Sequence, residues 1–245
     1  MHYDTLVWIS GANHGLGAGL AATVPYPSAR IINLSNVADP SIETVLFDLK
    51  DPATWDAIGD HFRETLRGFK GKRVIFIHNA IVAGLGYVTE VDRAAYQTEF
   101  IANSLAPMIL GDMFLSAIGE GYESGLVMIT SGGARSPFEA HSAYCAAKAA
   151  VEMWVRTVRR EFKRRGKKTW IVAVRPGFVD TPSIRAEAEL PYEVYPLGPQ
   201  IRKQLAERQD VMSPEEAARG IWAMLPPSGA ESILLQGKLV VPEER

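Results

Sequence analysis

The chain is short of cysteine: Cys145 is the only one among 245 residues. No intrachain disulfide can form, and such usage fits a reducing compartment, so a cytoplasmic protein is expected. A thiol beside Tyr144 admits a redox-sensing role, but a small buried helix residue is the plainer reading. An excess of charge of one sign is also missing. The formal balance of −2 gives no reason to expect nucleic acid or a membrane surface as a partner. The cations running from Arg156 to Lys168 read as the solvated end of a helix, where they complement its dipole, with a nucleic-acid patch as the alternative. Long apolar runs are absent too. None is expected to reach the ~18 residues of a membrane span, and no secretory leader is expected ahead of the first strand. The five histidines are scattered without ligand spacing, so no metal is expected.

What is present is an alternation of short apolar runs and helical patterns. An apolar fraction of 47% can build a sizeable core. Strands are expected at Leu6–Ile9, Arg30–Leu34, Thr44–Phe47, Arg73–Ile77, Leu126–Thr130 and Trp170–Val174, with a last one within Ile233–Val241. Asp51 and Pro52 open a helix as N-cap and first-turn proline. A long helix is expected from Asp92 to Ile118. Another runs from Ala143 to Arg165, with Val151, Trp154, Val155, Val158 and Phe162 on one stripe and Gly166 as its stop. Ser213, Pro214 and Glu216 form a capping box for one more. Alternating β and α elements with right-handed crossovers predict a doubly wound α/β fold, a seven-stranded parallel sheet covered on both faces. No repeat or linker interrupts it, so residues 1–245 read as one Rossmann-type domain.

Two stretches carry chemistry. Leu6–Ile9 runs into Ser10-Gly11-Ala12-Asn13-His14-Gly15-Leu16-Gly17 and then into a helical pattern. Strand, glycine-rich turn and helix form the context of a dinucleotide site: the turn lets backbone approach a pyrophosphate, and the helix N-terminus favours its charge. Tyr144 and Lys148 lie one helical turn apart, so a cation there is expected to lower the phenol pKa. Ser131 precedes Tyr144 by thirteen residues and can hydrogen-bond a substrate oxygen beside it. Proton transfer at a carbonyl or alcohol follows, with hydride transfer as its other half.

The Gly11-x-x-x-Gly15-x-Gly17 spacing, with Ser131, Tyr144 and Lys148, resembles the short-chain dehydrogenase/reductase family from about Leu6 to about Val241. Asp48 with Leu49, then Asn79, Ala80 and Ile81, look like the family's adenine-side aspartate and its Asn-Asn-Ala-Gly element, with Ile81 in place of glycine. Asn103 sits where the family completes a Ser-Tyr-Lys-Asn tetrad. Pro176, Gly177, Val179 and Thr181 match its Pro-Gly-x-x-x-Thr element. Softer motifs, among them Asn103–Met108 and Ser213–Glu215, point to the sepiapterin-reductase/benzil-reductase branch.

The resemblance implies that Tyr144 is the general acid, that Ser131 holds the carbonyl oxygen, that Lys148 holds the nicotinamide ribose, and that Asn103 holds a water linking Lys148 to solvent. Gly11, Asn13, His14, Gly15, Leu16 and Gly17 would cradle the cofactor. Ser35 and Asn36 end the second strand, where NAD enzymes usually carry an acid, so NADP(H) is preferred over NAD(H), although no arginine or lysine follows there. Phe138, His141, Phe178, Tyr192 and Tyr195 suggest a partly apolar carbonyl substrate, with the segment 182–212 as a lid. A homodimer through the two long helices is expected, a tetramer being the alternative. Two other functions stay open: an NAD-dependent alcohol dehydrogenase, and a non-catalytic dinucleotide sensor.

Overall fold

A computed structural model describes residues 3–227 and 231–236. The strands β1 (Thr5–Ser10), β2 (Ala29–Ser35), β3 (Glu43–Leu46), β4 (Arg73–His78), β5 (Glu123–Ile129), β6 (Trp170–Arg175) and, beyond a two-stranded pair, β9 (Ile233–Leu235) form one sheet. Its order is β3-β2-β1-β4-β5-β6-β9, and every pairing is parallel. This is the expected seven-stranded doubly wound sheet. The part of the last predicted strand beyond residue 236 lies outside the described residues.

Every residue of β1 is buried, which is why it reads as an unbroken apolar run: helices cover both of its faces. Side chains still alternate. Leu6 and Trp8 enter one core, Val7 and Ile9 the other. The first core packs α2 (Trp55–Leu66), α4 (Ala106–Ala117) and α5 (Ser142–Arg164) on the sheet. There the Trp8 ring meets Phe62 and Phe114 edge-on, with centroids 5.3 and 6.1 Å away; such pairs add about 0.5–1.5 kcal/mol each beyond burial. The second core packs α1 (Gly15–Ala22) and α8 (Pro214–Ala223), tied together where Trp222 Nε1 donates to the Leu20 carbonyl at 3.1 Å.

The helix ends follow their residues. Asp51 accepts from Ala53 N and opens a 3₁₀ turn that leads into α2, and Ser213 and Glu216 form the full capping box of α8. Gly166 adopts φ +67° just past α5. The cations from Arg156 to Lys168 are exposed, apart from half-buried Arg159.

Three expectations need correction. The helix expected from Asp92 to Ile118 is broken: α3 (Arg93–Phe100) passes through a π-turn at Ile101–Leu105 before α4 begins. The run Arg93–Ala117 also has the length and apolar composition of a membrane span. The sequence reading missed this because Asp112 and the polar residues Asn103 and Ser104 interrupt it; here it packs along the sheet between α2 and α5. Cys145 is only half-buried, and its thiol touches the space beside Gly133.

After β6 the chain forms β7 (Phe178–Val179), α6 (Pro182–Ala188), α7 (Gly198–Glu207) and β8 (Val211–Met212), which pairs with β7. Ala140, Ala188, Tyr195 and Ile201 form a third, small core here.

Candidate active site

A cavity of about 810 Å³ opens along the C-terminal edge of the sheet, where open α/β sheets bind ligands. The ends of β1, β2, β4, β5 and β6 all reach it, and α6 and α7 close its far side.

The glycine-rich turn forms one end. Gly11 adopts φ +71°, and a Cβ on Gly17 would lie 2.0 Å from the Gly11 carbonyl oxygen, so the turn folds only without side chains there. Gly11, Asn13, His14, Gly15 and Leu16 line the cavity, whereas Gly17 packs behind it. Neighbouring strands brace the turn. Asn33 Oδ1 accepts from Ala12 N and its Nδ2 donates to Asn13 Oδ1, both at 2.9 Å. The buried Ser10 hydroxyl accepts from the backbone N–H groups of Asn79 and Ala80, each at 2.9 Å, and so locks the exit of β4 to that of β1. The α1 N-terminus has no side-chain cap, which leaves its N–H groups turned toward this end. A backbone-lined cradle at a helix N-terminus fits a dinucleotide pyrophosphate.

Ser35, Asn36, Asp48 and Leu49 line the same end, and so does Lys50, which the sequence reading overlooked. Asp48 Oδ1 accepts from Lys50 N at 2.9 Å and holds that turn in place. Lys50 supplies a cation that Ser35 and Asn36, at the end of β2, lack. The signal was its position two residues after Asp48; the fold brings it to the same cavity as Ser35. Ala80 and the exposed Ile81 line the cavity beside Asn79. Pro176, Gly177, Val179 and Thr181 line its middle, and Thr181 also caps α6 by accepting from Ile184 N.

Ser131, Tyr144 and Lys148 meet at the cavity floor. Ser131 begins a 3₁₀ turn and accepts from Gly133 N at 3.1 Å. Tyr144 is half-buried, and the Ser131 hydroxyl beside it favours its phenolate. Lys148 is buried one turn on; its Nζ donates to the Ile129 carbonyl at 3.0 Å and sits 5.6 Å from the Tyr144 ring centroid.

The pKa balance differs from the expectation. Burial pushes the Tyr144 phenol up to about 12; the Ser131 hydroxyl pulls the other way, and the Glu187 carboxyl adds to the rise. Lys148 does not reverse this, because burial brings its own pKa down from 10.5 to about 8. Tyr144 is therefore protonated across the neutral range, the form that donates. Beneath Lys148, burial first and the Lys148 charge second push His78 down to about 3, so it stays neutral.

Asn103 does not line the cavity. It lies in the π-turn, buried, with Oδ1 accepting from Val82 N at 2.9 Å and Nδ2 donating to Val82 O at 2.8 Å. Its amide thus fixes the loop after β4, where the resemblance implied a water ligand.

The other arm of the cavity is lined by Phe138, Phe178, Ile184, Tyr195 and Leu197, together with the polar residues His141 and Glu187. Tyr192, also expected there, is 62% exposed and outside it. Glu187 was not foreseen, because a lone acid in Ala186-Glu187-Ala188 carries no pattern. No group of three or more metal-ligating side chains occurs among the described residues.

The short chain dehydrogenase family model matches residues 5–190. A Bacillus cereus benzil reductase ((S)-benzoin forming) is 29% identical over 188 residues, 71% of this chain and 76% of that protein. Its Bacillus subtilis counterpart is 27% identical over 184 residues, 71% and 74%. Among solved structures, ligand-free Thermoplasma acidophilum aldohexose dehydrogenase superposes with a TM-score of 0.78 at 20% identity, covering 98% of each chain. A Burkholderia cenocepacia short chain dehydrogenase in complex with NADP gives 0.73 at 19% identity, covering 97% of this chain and 90% of that one.

Proposed function

This chain belongs to the short chain dehydrogenase family and is an NAD(P)-dependent oxidoreductase; from that premise we propose that it reduces a partly apolar ketone or diketone to the alcohol with NADP(H). The observation that carries the proposal is the convergence of Ser131, Tyr144 and Lys148 at the foot of an aromatic arm, with the Lys148 Nζ 5.6 Å from the Tyr144 ring centroid.

The cofactor, when bound, supplies hydride to the carbonyl carbon. The glycine-rich turn, Asn79–Ile81 and Pro176–Thr181 would hold it. Ser131 and Tyr144 donate hydrogen bonds to the substrate oxygen. As negative charge develops on that oxygen, Tyr144 gives up its proton, acting as general acid where the charge appears. Lys148 places positive charge near the phenol ring and favours the phenolate left behind. Asn103 acts from behind the site by fixing the Val82 backbone.

Two features support NADP(H) over NAD(H). Ser35 and Asn36 present no carboxylate to repel a 2′-phosphate, and Lys50 stands on the same wall to pair with one. The apolar lining of the far arm and the two benzil reductase relatives support an aryl ketone or diketone.

The test is loss of NADPH absorbance with a panel of aryl ketones and diketones, with NADH alongside, for wild type and Tyr144→Phe. Turnover with NADPH is expected, falling by about 100-fold or more in the variant while cofactor binding persists. Full activity of Tyr144→Phe would remove the phenol from the reaction.

A further inference from the structure

The far arm of the cavity ends on polar side chains that the Ser131, Tyr144 and Lys148 set leaves unused. His141 stands just before α5 and Glu187 in α6, and both are drawn out of solvent: the side chains are 9% and 19% exposed. His141 Nε2 lies 4.0 Å from Glu187 Oε1. That gap is too long for a direct hydrogen bond, but an oxygen atom could sit about 2.8 Å from each. The His141 ring is 5.8 Å from the Tyr144 ring and 4.8 Å from the Tyr195 ring, centroid to centroid, so the gap adjoins the reacting phenol.

We propose that Glu187 and His141 form an anchor for a second substrate oxygen, and that they select ketones carrying a carbonyl or hydroxyl group next to the reacting carbonyl. This rests on the carbonyl-reductase reading above. The chemistry of each partner suits the role. Burial pushes the Glu187 carboxyl up to about 7, so near neutrality a large share is protonated and can donate to an oxygen lone pair. Burial also pushes His141 down, which keeps the imidazole neutral. Its Nδ1 has no hydrogen-bond partner to fix the tautomer, so the neutral ring can donate from Nε2 to a carbonyl oxygen or accept there from a hydroxyl. A ketone with one oxygen would leave these groups unmatched in a desolvated arm, which penalises it.

The groups facing Glu187 are few. His141 and Tyr144 come from α5 and its start, Tyr195 from the loop before α7, and the Ser183 hydroxyl, which draws the carboxyl pKa down against burial, from α6. Arg185, on the same helix, is paired with Asp180, and Arg202 of α7 is turned to the Ala188 carbonyl. No cation in these contacts pairs with the Glu187 carboxyl.

The test compares a 1,2-diketone with the monoketone of the same carbon skeleton, using wild type, Glu187→Leu and Glu187→Gln. Glu187→Leu is expected to lower kcat/KM for the diketone about tenfold more than for the monoketone, chiefly through KM. Glu187→Gln keeps a donor and should recover most of that loss. In wild type the diketone KM should rise as pH increases through about 7, because the ionised carboxylate no longer donates; in Glu187→Gln it should stay flat. Calorimetric titration of the diketone onto Tyr144→Phe protein, with and without Glu187→Leu, reads the anchor without turnover. Equal losses on both substrates, or a flat KM in wild type, overturn the anchor and leave the reductase reading intact. Turnover of neither ketone by wild type overturns both.

Discussion

Replacing Glu152 with leucine should destabilise the fold by an amount that can be worked out from its contacts. Glu152 lies on α5 two turns beyond Tyr144 and one beyond Lys148, on the same stripe, and is 4% exposed. Its carboxylate accepts from Arg175 Nε at 2.7 Å and from Arg175 Nη2 at 2.6 Å, and from the Thr130 hydroxyl at 3.1 Å. Removing one partner of a buried pair costs about 3–5 kcal/mol, because the other charge stays behind unpaired. The Arg175 side chain keeps 14% exposure, so water softens the loss to about 2–4 kcal/mol. For a chain of this size that is a Tm lower by roughly 5–15 °C. Thermal unfolding followed by circular dichroism reads it. The double variant Glu152→Leu/Arg175→Leu should recover much of the loss, since an apolar pair of similar volume replaces the ions. Thr130 directly precedes Ser131 and Arg175 directly precedes Pro176, so turnover should fall with the single variant as well. A Glu152→Leu protein that melts within about 2 °C of wild type would refute the reasoning.

Two further outcomes are expected. Lys50→Ala should weaken binding of adenosine 2′,5′-bisphosphate about tenfold while leaving ADP binding nearly unchanged, measured by calorimetry; equal effects on both ligands would remove Lys50 from cofactor choice. Lys148→Met concerns stability against pH. Burial lowers the folded pKa of Lys148 from 10.5 to about 8, so between those values the unfolded chain binds more protons than the folded one. Wild-type stability therefore gains from this group as pH rises from about 8 to 10.5 and loses that gain on the way down. The Tm of Lys148→Met relative to wild type should be highest near neutral pH and decline toward pH 10.5, and a slope of the opposite sign would contradict it.

The sheet was legible because its signals are local. Buried parallel strands are short apolar runs, and the turn after β1 needs glycines that sequence alone displays. The Ser213–Glu216 cap and the stop at Gly166 are equally local. The π-turn at Ile101–Leu105 was not legible, since the partner of its Asn103, which accepts from Val82 N and donates to Val82 O, lies twenty-one residues back in sequence. The direction of the Tyr144 pKa was misjudged for a related reason. Helical spacing reveals a neighbouring cation, but it does not reveal the desolvation that outweighs it. Lys50 and Glu187 escaped notice because each becomes part of the cavity only when separate segments close on one another. Grouping Ser131, Tyr144 and Lys148 needed only two segments, and both carry a recognisable pattern.

The small core of Ala140, Ala188, Tyr195 and Ile201 shares no buried residue with the two cores that sandwich the sheet. The family match ends at residue 190, between the two helices built around it. The part of the cavity wall that α6 and α7 supply is therefore packed largely apart from the sheet. Under the proposed function, that separation marks residues 182–207 as the stretch to vary first in a search for altered substrate choice.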